Sequence, residues 1–345
     1  MAKKDKNNED QIEESTSNSM DDIIKKYGDI IANGQHFIDH PKRIISVSPA
    51  LNNILGNGIH EGSFVVLAGP PKVGKSLIAL HFAGNAQKVG RKVFYLNIEG
   101  RIKERDLAGI KHLDKSKLTI IRSIKGKILT AEEFLRIAKQ LITDEPESVI
   151  ILDSVSQLCT EKEMDSNVGD VGRNNVHISL GTFCRQIAGI LPINNNIVIA
   201  ITHLIANTSG YGSPFSESGG NKIKYQVDIK LRARKSIDWS LGQDKDPIGI
   251  ITTWETEAVA GNVTPGRKAE SYLRFGLGID VVAELVILAI NTGFIEKKGA
   301  GWYILSFLED KPKIQGQENI ISYLQNNQES YDKLYKLIQD MFGNG

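Results

Sequence analysis

The chain has 345 residues, 41% hydrophobic and 24% charged, and 42 basic against 41 acidic side chains give a formal net charge of +1. These are the proportions of an ordinary soluble globular protein, long enough for one large core with appendages or for two domains. They exclude a globally polybasic nucleic-acid binder, and the two cysteines, Cys159 and Cys184, exclude a disulfide framework.

In chain order, residues 1–19 are polar, of mixed charge and aperiodic, and read as a disordered tail without the apolar centre of a signal peptide. "MDDIIKKYGDIIANG" sets Ile23, Tyr27 and Ile30/Ile31 at helical spacing, an amphipathic helix closed by Gly34. With its linker it spans 20–43, and its stripe suits docking on its own domain or on a neighbouring subunit.

Between Ile44 and Phe275, short apolar runs alternate with helical stretches. "SFVVLAG" (63–69), "KVFYLNIE" (92–99), "SVIILDS" (148–154) and "NIVIAITH" (196–203) read as buried parallel strands. Helices are expected over 75–89, 130–143 and 172–190, which gives a doubly wound α/β pattern. "VDIKLRAR" (227–234) and "GIITTWETE" (249–257) alternate with period two and read as more exposed strands. Beyond residue 275 the texture changes to a short helix, "DVVAELVILAIN", a hairpin, "GFIEKKGAGWYIL", and two polar helices, a small C-terminal domain over 276–345. No apolar run reaches the roughly 20 residues of a membrane span, so a cytoplasmic setting with no membrane partner is expected.

Gly69-Pro70-Pro71-Lys72-Val73-Gly74-Lys75-Ser76 fits G-x-x-x-x-G-K-[ST], after a strand and opening a helix that continues with Leu77. The glycines let backbone N–H groups curl around a polyphosphate at the positive end of a helix. In that setting Lys75 reaches the β and γ phosphates and Ser76 ligates Mg²⁺. "VIILDS" carries Asp153 to the carboxyl edge of the sheet, beside the metal. Glu99 ends the strand next to the phosphate loop, where a carboxylate can orient and deprotonate an attacking water. Residues alone thus give an Mg-dependent NTPase.

The arrangement resembles the RecA family of homologous recombinases, including bacterial RecA and phage recombinases of the UvsX type. "RIISVSPALNNILGNGIHEGSFVVLAGPPKVGKS" is similar to the RecA lead-in. "SGGNKIKYQVDIKLRARK" is similar to the segment closing the second DNA-binding loop, and "GLGIDVVAELVILAINTGFIEKKGAGWY" to the start of the C-terminal domain. The resemblance covers about residues 20–340 and implies a RecA-type P-loop NTPase core over 44–275 with a mainly parallel doubly wound sheet. It further implies an N-terminal oligomerisation helix, which docks protomer on protomer, and a small α+β C-terminal domain.

The implied activity is a DNA-dependent ATPase that polymerises on single-stranded DNA and exchanges strands with homologous double-stranded DNA. ATP and Mg²⁺ are the implied cofactors, the chain itself a filament partner, and single-strand-binding and mediator proteins further candidates. Glu99 matches the base and His203 the residue that senses the γ-phosphate, while Arg105 matches a residue lying over the adenine. The implied DNA-binding loops are about 161–173, with Arg173, and 204–221, with Tyr211, Phe215, Gly219, Gly220 and Asn221 followed by Lys222 and Lys224. Alternation puts most of the later cations, Lys230, Arg232, Arg234 and Lys235, on one face, read here as a DNA-facing surface. Lys297, Lys298, Lys311 and Lys313 suit duplex DNA or a merely solvated face.

One departure stands out. Where bacterial RecA carries a Lys-x-Lys pair reaching the neighbour's ATP, this chain has Glu255 and Glu257. Either Arg267 and Lys268 take that role or a bound cation bridges the acidic pair. The rival readings are a ring helicase or translocase on the same core, and a non-catalytic paralogue serving as a filament accessory.

Overall fold

The computed structural model describes residues 20–110, 112–167, 176–206, 215–217, 227–240, 246–259 and 263–343. Contacts divide the chain into Met1–Lys42 and Arg43–Gly345.

In the first unit a helix, α1, covers 20–27 and gives way to a 3₁₀ turn at Gly28–Ile30. The expected single helix closed by Gly34 is therefore corrected, because Gly34 opens a second one, α2 (Gly34–Asp39). Asn33 is its N-cap, its side chain accepting from His36 N–H at 3.0 Å, and such a cap fixes a helix start. Ile23, Ile24, Tyr27, Ile30, Ile31, Phe37 and Ile38 are all exposed.

The second unit opens with β1 (Ile44–Ile45), α3 (Pro49–Leu55) and β2 (Ile59–His60). Then follow β3 (Phe64–Gly69), α4 (Lys75–Lys88), β4 (Val93–Asn97), α5 (Glu104–Ala108), β5 (Leu118–Ile121), α6 (Ala131–Asp144) and β6 (Val149–Asp153). After α7 (Glu161–Met164), α8 (Val176–Ile187) and α9 (Ile190–Ile193) come β7 (Ile197–Ala206), β8 (Phe215–Glu217), β9 (Ile229–Trp239), β10 (Gly249–Val259), β11 (Lys268–Arg274) and β12 (Gly278–Ile279).

The strand order is β12-β11-β10-β9-β3-β7-β6-β4-β5, with β8 paired to the end of β7. From β9 to β5 every neighbour is parallel, and from β9 to β12 every neighbour is antiparallel. β9 is thus an interior strand beside β3, not a more exposed one. Its Ile229, Leu231 and Ala233 are buried in the same core as Val65 and Leu67.

The period of two feeds two cores from each central strand. Val65, Leu67, Val93, Tyr95, Val149, Ile151, Ile199 and Ile201 face the side covered by α4. Phe64, Val66, Phe94, Leu96, Ile150, Leu152, Val198 and Ala200 face α6 and α8. Burying each such aliphatic side chain contributes roughly 1.5–3 kcal/mol, and neither face tolerates a register slip.

The chain ends in α10 (Val281–Thr292), the antiparallel sheet β13 (Ile295–Lys297), β14 (Trp302–Leu305) and β15 (Lys313–Gln315), and the helices α11 (Gln317–Asn326) and α12 (Gln328–Gly343). The hairpin gains a third strand, β15, that its alternation was too short to announce. A third apolar cluster joins these helices to Trp239 of β9 and Tyr272 of β11.

Candidate active site

Extending the alternation of the central strands by one step explains the site. Val149 and Ile151 predict that Asp153 faces α4. Val93 and Tyr95 predict the same for Asn97 and Glu99, and Ile199 and Ile201 for His203. All four line one cleft of about 420 Å³, together with Lys75, Ser76 and Leu77 from the start of α4 and Pro71, Lys72 and Gly74 from the loop before it.

The loop is built by two glycines. Gly74 has φ +92° and a Cβ there would lie 2.0 Å from Leu273 Cδ1, while one on Gly69 would lie 2.8 Å from the Cβ of Ala233. Lys72, with φ +63°, also adopts the left-handed conformation, an uncommon state for a residue with a side chain. Val73 is buried beneath the loop, and its carbonyl accepts from Thr252 Oγ1 of β10 at 3.0 Å.

Lys75 Nζ donates to the carbonyls of Gly69 at 2.9 Å and Pro70 at 2.6 Å, which holds the ammonium at the mouth of the loop. Burial lowers its pKa to about 8, against the pull of Asp153 and Glu99. Ser76 Oγ donates to Asp153 Oδ2 at 2.6 Å, and the Tyr95 hydroxyl donates to the same oxygen. Burial raises the Asp153 carboxyl against these two hydrogen bonds, and it raises the Tyr95 hydroxyl well above its ordinary value. A hydroxyl and a carboxylate at the end of a phosphate loop are hard oxygen donors that fit Mg²⁺, which takes few protein ligands and keeps water and phosphate for the rest.

Glu99 Oε2 lies 3.4 Å from His203 Nε2, and Glu99 Oε1 lies 3.1 Å from the Arg101 guanidinium. The backbone N–H of His203 donates to Ser156 Oγ at 2.8 Å. Arg105 is exposed, sits 3.7 Å from Asp106 and is not among the lining residues, whereas Arg101, Ile102 and Asp106 are. Sequence reading missed Tyr95, Asn97, Arg101 and Ser156. For Tyr95 and Asn97 the signal was present, since they stand four and two residues before Glu99 in one alternating run.

The DNA-facing set falls largely outside the described residues: Arg173, Tyr211, Gly219, Gly220, Asn221, Lys222 and Lys224 all do. Of the first expected loop, Glu161–Met164 is helical, because Thr160 and Glu163 form a reciprocal capping box. Of the second, Leu204–Ala206 prolong β7 and pair with Phe215–Glu217 of β8, placing Phe215 opposite Ala206.

The cations of β9 need correcting. Lys230 Nζ lies 2.9 Å and Arg232 2.8 Å from Glu257, and Arg234 lies 2.7 Å from Glu255. They therefore neutralise the acidic pair across the β9–β10 ladder. Arg267 donates to Asn53 Oδ1 at 3.1 Å, and Lys268 approaches Glu255 at 3.8 Å.

Comparison with known proteins agrees with this geometry. The RecA N-terminal domain family model matches residues 14–280. Protein RecA of Campylobacter jejuni subsp. doylei is 28% identical over 331 residues, covering 94% of this chain and 92% of that protein. Protein RecA of Wolbachia pipientis is 27% identical over 346 residues, covering 99% and 93%. The chromosomal Protein RecA of Lactococcus lactis subsp. lactis is 28% identical over 305 residues, covering 87% and 76%. With the family model spanning most of its length and the phosphate loop, Asp153 and Glu99 meeting in one cleft, this chain belongs to the RecA family.

Proposed function

We propose that the protein is a DNA-dependent ATPase that forms a filament on single-stranded DNA and catalyses homologous pairing and strand exchange. The observation that carries the proposal is the meeting of Lys75, Ser76, Asp153, Glu99 and His203 in one cleft of a RecA-family chain. Lys75 and the loop's N–H groups bind the ATP phosphates, and Glu99 accepts the proton of the attacking water. Ser76 and Asp153 would hold Mg²⁺, which would supply positive charge at the phosphates. His203 couples the γ-phosphate to the DNA-binding loop after β7, so that ATP favours the DNA-binding state and hydrolysis releases it.

The exposed apolar side chains of α1 and α2 favour docking on a neighbouring protomer, and such head-to-tail contacts build an open filament. Residues 161–173 and 204–221 hold the single strand, and the 276–345 segment collects the duplex. Exchange between matched strands is nearly neutral. With stacking at about 1.4 kcal/mol per step, mismatches carry the cost, and the protein need read no base edge. The setting is the cytoplasm of a bacterial or phage-infected cell; no helix among the described residues is long and apolar enough to cross a membrane.

The test mixes protein, ATP, a circular single strand and a homologous linear duplex. Joint molecules that depend on ATP and on homology are expected. Unwinding of a forked duplex without joint molecules would replace the proposal with a helicase.

A further inference from the structure

Tyr95 is 1% exposed, its ring packed in the core beneath α4 among aliphatic side chains. A phenylalanine would fill that space equally well. A buried hydroxyl costs stability unless it is hydrogen-bonded, and what this hydroxyl adds is its bond to Asp153 Oδ2. The same oxygen accepts from Ser76 Oγ. With two donors on one oxygen from different elements, β4 and α4, the carboxylate has no freedom to rotate. Ser76 has a single proton, and while Asp153 holds it, both lone pairs of Ser76 Oγ stay available to a cation.

We infer that Tyr95 is a positioning residue for the metal side of the nucleotide site, acting through Asp153 to fix the orientation of the Ser76 hydroxyl. The role rests on the nucleotide-binding reading of the cleft and goes beyond it. It assigns a function to a strand residue that contributes no ligand of its own and lies four positions before the base.

The test is Tyr95→Phe, which removes one oxygen and keeps the ring. Binding of a fluorescent, hydrolysis-resistant ATP analogue is measured in EDTA and then across a Mg²⁺ titration, alongside thermal melting. Loss of a hydrogen bond to a metal-side carboxylate typically costs 10- to 100-fold, so the Mg²⁺ midpoint should rise about 10-fold or more, with affinity in EDTA within about twofold of wild type. An unchanged midpoint would overturn the inference. So would a parallel loss of affinity in EDTA and of melting temperature, which would mark Tyr95 as a packing residue only. If the wild-type protein bound no nucleotide in either condition, the nucleotide-binding reading itself would fall.

Discussion

His203 Nε2 lies 3.4 Å from Glu99 Oε2, while the backbone N–H of the same histidine donates to Ser156 Oγ. One residue therefore touches the carboxylate at the end of β4 and the turn that leads from β6 towards residues 161–173, and it stands three residues from the end of β7. Glu99→Gln preserves the shape of this contact and removes the proposed base. ATP-dependent DNA binding should survive while turnover falls about 100-fold or more. His203→Ala should leave nucleotide affinity nearly intact but reduce the ATP stimulation of DNA binding about fivefold or more. Steady-state hydrolysis and DNA anisotropy with and without ATP separate the two effects. Retained hydrolysis in Glu99→Gln would move the base elsewhere, and unchanged stimulation in His203→Ala would remove the histidine as coupler.

Lys75 gives the site a pH dependence. Burial lowers its pKa to about 8 from an ordinary 10.5, and a polyphosphate beside it favours the ammonium. Above pH 8 the free protein holds Lys75 largely neutral, so nucleotide binding must take up a proton. Affinity should fall with rising pH by as much as about tenfold per unit. Calorimetric titrations at pH 9, in buffers of different ionisation enthalpy, should show uptake approaching one proton, absent in Lys75→Met. Zero uptake by the wild type would contradict the assignment. In the nucleotide-free protein the same group adds stability as pH rises from about 8 towards 10.5, because the unfolded chain there binds more protons.

The central strands were legible because burial on both faces leaves long apolar runs, and counting by twos from Tyr95 and Ile151 reaches Glu99 and Asp153 on the α4 face. The β9 cations were misread because a strand shows which side chains share a face but not which opposite strand meets them. The pairing of Glu255 with Arg232 and of Val259 with Ile229 depends on register shifts between Thr253 and Trp254 and between Thr256 and Ala258. No local pattern encodes those shifts. The helix break before Gly34 was missed for a different reason. Apolar spacing continues across it, and the Asn33 cap outweighs that continuity.

The β9–β10 ion cluster should matter unequally for stability. Glu257 is met by Lys230, which is almost fully buried, and by Arg232. Burial pushes the Glu257 carboxyl up, but hydrogen bonds from Arg232 and Lys230 outweigh it and hold it below its ordinary value. That contribution is present above about pH 4.5 and is lost as pH falls through the lower folded value. Glu257→Gln removes the negative charge that faces a buried ammonium and should cost roughly 2–3 kcal/mol in urea denaturation at neutral pH. Glu255→Gln loosens an arginine that is 38% exposed and should cost less than about 1 kcal/mol. Equal costs would mean that burial does not set the strength of this cluster.

Glu284 sets a second pH dependence, of opposite sign. It projects from the first turn of α10 and accepts the Ala50 N–H at 3.1 Å, with the Ser48 and Ser271 hydroxyls beside it. Burial pushes its carboxyl up to about 7 from 4.5. A raised carboxyl binds its proton more tightly in the folded chain, so this contribution is complete below about pH 4.5 and fades as pH rises through 7. Glu284→Gln keeps an acceptor for Ala50 and removes the ionisation. Relative to the variant, wild type should lose roughly 2 kcal/mol or more between pH 5 and 8, read as the difference between their urea midpoints. Taking the difference cancels the other carboxylates, including Glu257, which work in the opposite direction at acid pH. Parallel profiles for the two proteins would show that the buried carboxyl ionises at its ordinary value and that α10 meets α3 without a protonation requirement.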